Sequence, residues 1–95
     1  MFKAQSTVET EKASRYLKAL CNHFNRKVTA DYDDARGTAQ FGFGYCEMNA
    51  GEKALIINIQ ADDDENFNRV KFVVSDHLIR FGTNEQLEVV WIDQD

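Results

Sequence analysis

The spacing of apolar residues changes period repeatedly along this chain, and each change restricts what the local backbone can become. Phe2, Ala4, Ser6 and Val8 fall on one parity, and Lys3, Gln5, Thr7 and Glu9 on the other. That is the alternation of a strand with one buried and one wet face. Beyond Thr10 the pattern becomes Ala13, Tyr16, Leu17, Leu20, Cys21 and Phe24, the i, i+3, i+4 spacing of a helix with a single apolar stripe. Thr10 is placed to cap this helix and Glu11 to lie in its first turn. Alternation returns at Val28, Ala30 and Tyr32. The turn residues of "DDARG" then precede an extended run from Thr38, which predicts a hairpin.

In "TAQFGFGYCEMNAG" Phe41 and Phe43 share one parity, whereas Cys46, Met48 and Ala50 share the other. A bulge near Gly44 would place all of them on one face; alternatively the chain bends there and two short strands follow one another. "NAGEK" is the next turn, and Leu55, Ile57 and Ile59 alternate with Ile56, Asn58 and Gln60 in a further strand. Asp62 with Glu65 resembles a capping box, the helix it opens runs to about Phe81, and Gly82 is its natural stop. Leu87, Val89 and Trp91 make the last strand. The predicted order is β-α-β-β-β-α-β. Two amphipathic helices on one face of a mainly antiparallel sheet of about five strands bury every apolar stripe, so the expected fold is a two-layer α+β sandwich, one domain over residues 1–95.

A chain of 95 residues needs most of its apolar side chains for a core, which favours packing over chemistry at any single position. Cys21 and Cys46 lack a Cys-x-x-Cys partner and read as buried free thiols. No leader pattern or membrane-length apolar run is present, so the expected location is the cytoplasm. The net charge of -5 argues against nucleic acid, although Lys12, Arg15, Lys18, Arg26 and Lys27 fall in one segment.

"LCNHFNRK" sets Cys21 two positions before His23, but on a helix these residues sit on opposite margins of the apolar stripe, about 160° apart. They cannot share a small ion, and no metal set is predicted. His23, Arg26 and Lys27 are expected to meet the carbonyl end of the helix. His77 falls inside the second stripe, formed by Phe67, Val70, Val73, Val74, Leu78 and Phe81, where its ring needs a polar partner such as Tyr16, His23 or a backbone carbonyl. His23 and His77, with Tyr16 and Arg80, are the candidate ligand-binding residues. Phe72 and Ile79 on the outer side of the second helix, and Ile56, Val90 and Ile92 on the polar parity of their strands, are candidate interface residues for a homodimer or a protein partner. "GFGYCE" has Glu47 where a dinucleotide fingerprint needs glycine, "DDDE" lacks the alternation of a calcium loop, and Asp31 with Asp33 has no environment that would raise a pKa. No nucleophile elbow or phosphate loop is present, so neither a catalytic set nor a cofactor is predicted.

"SRYLKALCNHFNRKV", "YDDARGTAQFGFGYCEM" and "VVSDHLIRFGTNEQLEVVW" resemble the bacterial family called domain of unknown function 2218, over about Ala13 to Trp91. Its members are small free-standing proteins, and related domains occur joined to flavin-binding siderophore-interacting proteins, so the resemblance implies an association with iron uptake. The family's first helix often ends with a second histidine where this chain has Arg26, so a metal or haem role resting on that histidine does not transfer. The sequence therefore predicts a non-enzymatic binding or accessory module that self-associates. The alternative is an iron- or siderophore-linked ligand-binding protein using His23 and His77, and an enzyme with His77 as general base stands third.

Overall fold

A computed structural model describes residues 1–94. Strand β1 (Phe2–Glu9) leads into helix α1 (Ala13–Phe24), and strands β2 (Thr29–Tyr32), β3 (Arg36–Phe41), β4 (Gly44–Ala50) and β5 (Ala54–Ala61) follow. Helix α2 (Asp64–Phe81), a 3-10 turn (Thr83–Glu85) and strand β6 (Ile92–Gln94) complete the order. The fold is α+β, with an open six-stranded sheet in the order β2-β3-β4-β5-β1-β6. Every strand pairing is antiparallel.

Register decides which side chains reach the helices. Ala4, Ile59, Cys46, Ala39 and Ala30 stand in one row across the sheet, and Ser6, Ile57, Met48 and Gly37 in the next. These rows are buried beneath Leu17, Leu20, Cys21 and Phe24 of α1 and Phe67, Val70, Val74 and Leu78 of α2. The opposite face carries Lys3, Gln60, Tyr45 and Gln40, then Gln5, Asn58, Glu47 and Thr38. Gln5 Nε2 donates to Asn58 Oδ1 at 2.8 Å and Arg36 pairs with Glu47 there. A one-residue slip would exchange the two faces, so burial fixes the register. Ser6 is the exception on the inner face: its Oγ is buried with no hydrogen-bond partner among the described residues.

Two glycines let the layers approach. A Cβ at Gly37 would lie 2.7 Å from Cys21 Sγ, and one at Gly44 would lie 2.3 Å from Val70 Cγ2. α1 thus rests on β3 and α2 on the start of β4.

The mainly antiparallel sheet with two helices is as expected, and of the two alternatives for residues 38–50 the structure takes two short strands rather than one bulged strand: Phe41 pairs with Gly44 across a two-residue turn, making β3 and β4 a hairpin in the six-stranded sheet. Skipping Gly42 and Phe43 is what moves the inward parity from Phe41 to Cys46 and Met48. Leu87, Val89 and Trp91 point inward and are half-buried, but their backbone lies outside the ladder. The segment instead runs back along α2, with Leu87 against Gly82, Trp91 Nε1 donating to Ser75 Oγ at 2.8 Å, and Lys71 paired with Asp93 at 3.0 Å. It reaches β1 only at Ile92, opposite Gln5. Helix α1 starts later than expected: Thr10 Oγ1 accepts from Lys12 N at 3.0 Å before the first helical residue, and Glu11 also precedes the helix. The cap of α2 is Asp63, whose carboxylate accepts from Asn66 N at 2.8 Å, one position beyond the expected Asp62. Phe81 lies at the margin of the α2 stripe and is 41% exposed.

Candidate functional site

The carbonyl end of α1 is closed by its own backbone: Asn25 N donates to Cys21 O at 2.8 Å and Val28 N to Phe24 O at 3.0 Å. The Arg26 and Lys27 amides likewise donate to the His23 and Phe24 carbonyls. The expected capping role of the His23, Arg26 and Lys27 side chains is therefore taken by main chain, and these side chains are exposed. Across from them, in the last turns of α2, His77 Nδ1 lies 2.7 Å from Val73 O. A carbonyl only accepts, so Nδ1 carries a proton and donates this bond.

The two imidazoles meet, with ring centroids 4.5 Å apart. His77 also touches Phe24 edge-on at 5.6 Å, Phe24 meets Phe41 at 5.0 Å, and Phe41 stacks on Phe43 at 5.2 Å. The Arg69 guanidinium covers the Phe43 ring at 4.1 Å, a cation–π contact. A continuous line of aromatic contacts, stacked and edge-on, thus links Arg69 on α2, through the β3–β4 hairpin and the end of α1, to the histidine pair. It lines a groove of about 400 Å³ between the two helices and the hairpin. Phe24 and Phe41 form its buried floor, Val28, Phe43, Val73 and His77 its half-buried walls, and His23, Arg26, Lys27 and Arg69 its exposed rim. Desolvation against this wall, and then the proximity of His77, Arg26 and Lys27, hold the His23 pKa below the ordinary imidazole value.

Other candidates lie elsewhere. Tyr16 is buried, its hydroxyl donates to Glu85, and that bond followed by burial raises its pKa. Arg80 is exposed and pairs with Asp76 at 3.2 Å. Neither lines the groove. Phe72 is 68% and Ile79 47% exposed on α2, Val90 65% and Ile92 64% at the β6 margin, while Ile56 is half-buried on the open sheet face. A smaller hollow of about 230 Å³ at the Gly42 turn holds neither histidine nor cation. No three His, Cys, Asp or Glu side chains converge as a metal set among the described residues. No helix among them is long and apolar enough to cross a membrane.

Sequence reasoning found the two histidines but not Phe41, Phe43, Val28 or Arg69. The available signal was the wrong-parity Phe43 in "FGFG", a large aromatic at a hairpin turn. Its meeting with Arg69 depends on how α2 lies across the sheet.

Comparison with known proteins agrees with this architecture. The chain is similar to the NMR structure of PA4090 from Pseudomonas aeruginosa, at 34% identity over 97% of this chain and 96% of that one, with a TM-score of 0.81. No curated protein matches it. The model of a family described as "Uncharacterized protein conserved in bacteria" matches residues 5–92. The chain belongs to this family, domain of unknown function 2218.

Proposed function

We propose that this protein is a non-enzymatic binding module whose ligand site is the groove between α1, α2 and the β3–β4 hairpin. The observation that carries this reading is the meeting of His23 and His77, at 4.5 Å, between the rim and the wall of a hollow floored by Phe24 and Phe41. Its volume falls in the range of roughly 300–1,000 Å³ usual for small-molecule sites, and apolar walls with a few convergent polar groups are their usual chemistry. His77 has its Nδ1 on the Val73 carbonyl and imidazole and phenyl rings beside it, and no carboxylate lines the groove, a lining that favours binding over turnover. The test is a titration of the isotopically labelled protein with a set of one- and two-ring fragments, following the imidazole resonances of both histidines. Fragments that shift both rings in wild type, and bind more weakly to a folded His77→Ala variant, support the site. A set in which nothing moves either ring removes it.

The iron-linked alternative is favoured by the same histidine pair under one condition. Two imidazoles are too few to hold an iron ion by themselves, and no third His, Cys, Asp or Glu joins them among the described residues, so an iron held here would arrive already enclosed in its chelator. Isothermal calorimetry with a ferric siderophore and with its iron-free form separates the two cases; equal heats would remove the iron link.

Self-association is supported by a different observation, the exposure of Val90 and Ile92 beside each other along one segment. Light scattering on wild type and Ile92→Asp tests it, with a strictly monomeric wild type counting against the dimer.

A further inference from the structure

The groove differs in charge from the molecule that carries it. The chain has 16 acidic against 11 basic residues, yet the groove lining contains Arg26, Lys27, Arg69 and both histidines and no Asp or Glu. By contrast, the hollow beside the 3-10 turn is lined by Glu9, Glu85 and Glu88. None of the three groove cations forms an ion pair among the described residues, whereas Lys18, Arg36, Lys71 and Arg80 do. Charge and apolarity are also separated by depth. The cations and His23 are exposed at the rim, and Phe24 and Phe41 are buried at the floor.

We infer that the groove selects a small aromatic acid, a flat one- or two-ring body bearing a carboxylate; this rests on the proposal that the groove is a ligand site. The floor recognises the ring. Phe41 stacked on Phe43 and Phe24 set edge-on to Phe41 present π faces and edges in the offset and perpendicular arrangements that aromatic rings prefer. The rim recognises the charge. Two cations come from the end of α1 and one from α2, so a carboxylate at the mouth meets positive groups from both sides while staying close to water. Carboxylate pairs with guanidinium are strong because the bond is charge-assisted and can be bidentate. A phosphate ester would bring up to two charges and a larger hydration shell against phenylalanine walls, and the depth profile favours a single charge at the entrance.

The test uses three molecules of one shape on the whole protein: 2-naphthoate, 2-naphthamide and 2-naphthylmethylammonium. Binding is followed through amide and imidazole resonances at low salt. The expected order is acid, then amide, then ammonium, with the acid at least about tenfold tighter than the amide, as one charge-assisted contact implies. The preference should shrink to near unity in an Arg26→Gln, Lys27→Gln, Arg69→Gln triple variant, whose changes lie on the exposed rim, and should weaken in high salt. Equal binding of acid and amide at the groove overturns the charge selectivity but leaves the ligand site standing. Acid binding that leaves His23 and His77 unmoved, or no binding by any of the three, overturns both.

Discussion

Gly44 sets how closely α2 lies on the sheet, and replacing it with alanine tests that placement. The added methyl would stand 2.3 Å from Val70 Cγ2 and 2.9 Å from the Gln60 carbonyl oxygen. Carbon atoms rest about 3.5–4.0 Å apart, so the helix or the strand must move by more than about 1 Å. Val70 is fully buried and cannot swing aside, and the second obstacle is backbone. Overpacking of this kind costs about 1–3 kcal/mol. For a domain of this size each kcal/mol lowers the melting temperature by about 4–8 °C, so Gly44→Ala should melt about 5–20 °C below wild type. Thermal unfolding followed by circular dichroism reads this directly. Val70→Ala removes the nearest contact and leaves space for the new methyl. The double variant should therefore be more stable than the sum of the single losses by about 1 kcal/mol. Rescue stays incomplete because the Gln60 oxygen remains. A Gly44→Ala protein within about 0.5 kcal/mol of wild type, or strictly additive losses, would refute the packing argument. Since α2 also carries Arg69 and His77, the same variant should shift the His77 ring resonances.

Ser6→Ala removes a buried hydroxyl without a partner and should raise stability by about 1 kcal/mol in chemical denaturation; a loss would mean that the hydroxyl is bonded in solution. Glu85 accepts from the Tyr16 and Thr10 hydroxyls, which hold its carboxyl below the ordinary value. Its contribution is therefore present above the unfolded pKa of about 4.3 and is lost as pH falls through the lower folded value. The melting gap between wild type and Glu85→Gln should be wide at neutral pH and narrow in strong acid, and a pH-independent gap would contradict this. His23 also has a lowered pKa, but as a base: below about 6.5 the unfolded chain binds more protons, so stability falls as the solution is acidified through that range. His23→Gln should flatten the slope of melting temperature between mildly acidic and neutral pH, and an unchanged slope would count against it. Burial, and then Asp31, push the Cys21 thiol up to about 11, and burial pushes Cys46 higher still. Neither should react with iodoacetamide at neutral pH until denaturant is added, a result that intact-mass measurement reads in one experiment.

Periodicity carries local information well and neighbour information poorly, and this chain shows the boundary between them. The inward residues of β1, α1, β5 and α2 could be picked out because each stripe is long and its period unambiguous. The β3–β4 hairpin could not be chosen over a bulge, because both restore inward burial of Cys46 and Met48, and only the Phe41–Gly44 pairing separates them. Leu87, Val89 and Trp91 alternate like a strand because one side faces α2; alternation reports a buried side, not a hydrogen-bonded edge. At the groove, His77 was visible as a polar residue in an apolar stripe, and its carbonyl partner was among those expected. Arg69 and Phe43 lie 26 positions apart, and neither breaks a local rule strongly enough to announce their contact. Arg26 and Lys27 read from the sequence as cations at the helix end, where main-chain amides do that work instead.

The segment from Leu87 to Gln94 determines whether β1 is an interior or an edge strand. Only Lys3, Ala4 and Gln5 are covered by β6, and the cover is held by side-chain anchors on α2, through Ser75 and Lys71. If those anchors let go, β1 offers unpaired amides and carbonyls along its length while the rest of the sheet stays intact. Such an edge is a template for pairing with another chain. Release of this short strap would therefore lead to strand exchange between molecules well before global unfolding. The rate at which Ser75→Ala and Lys71→Ala proteins form sheet-linked oligomers would measure how often the strap opens.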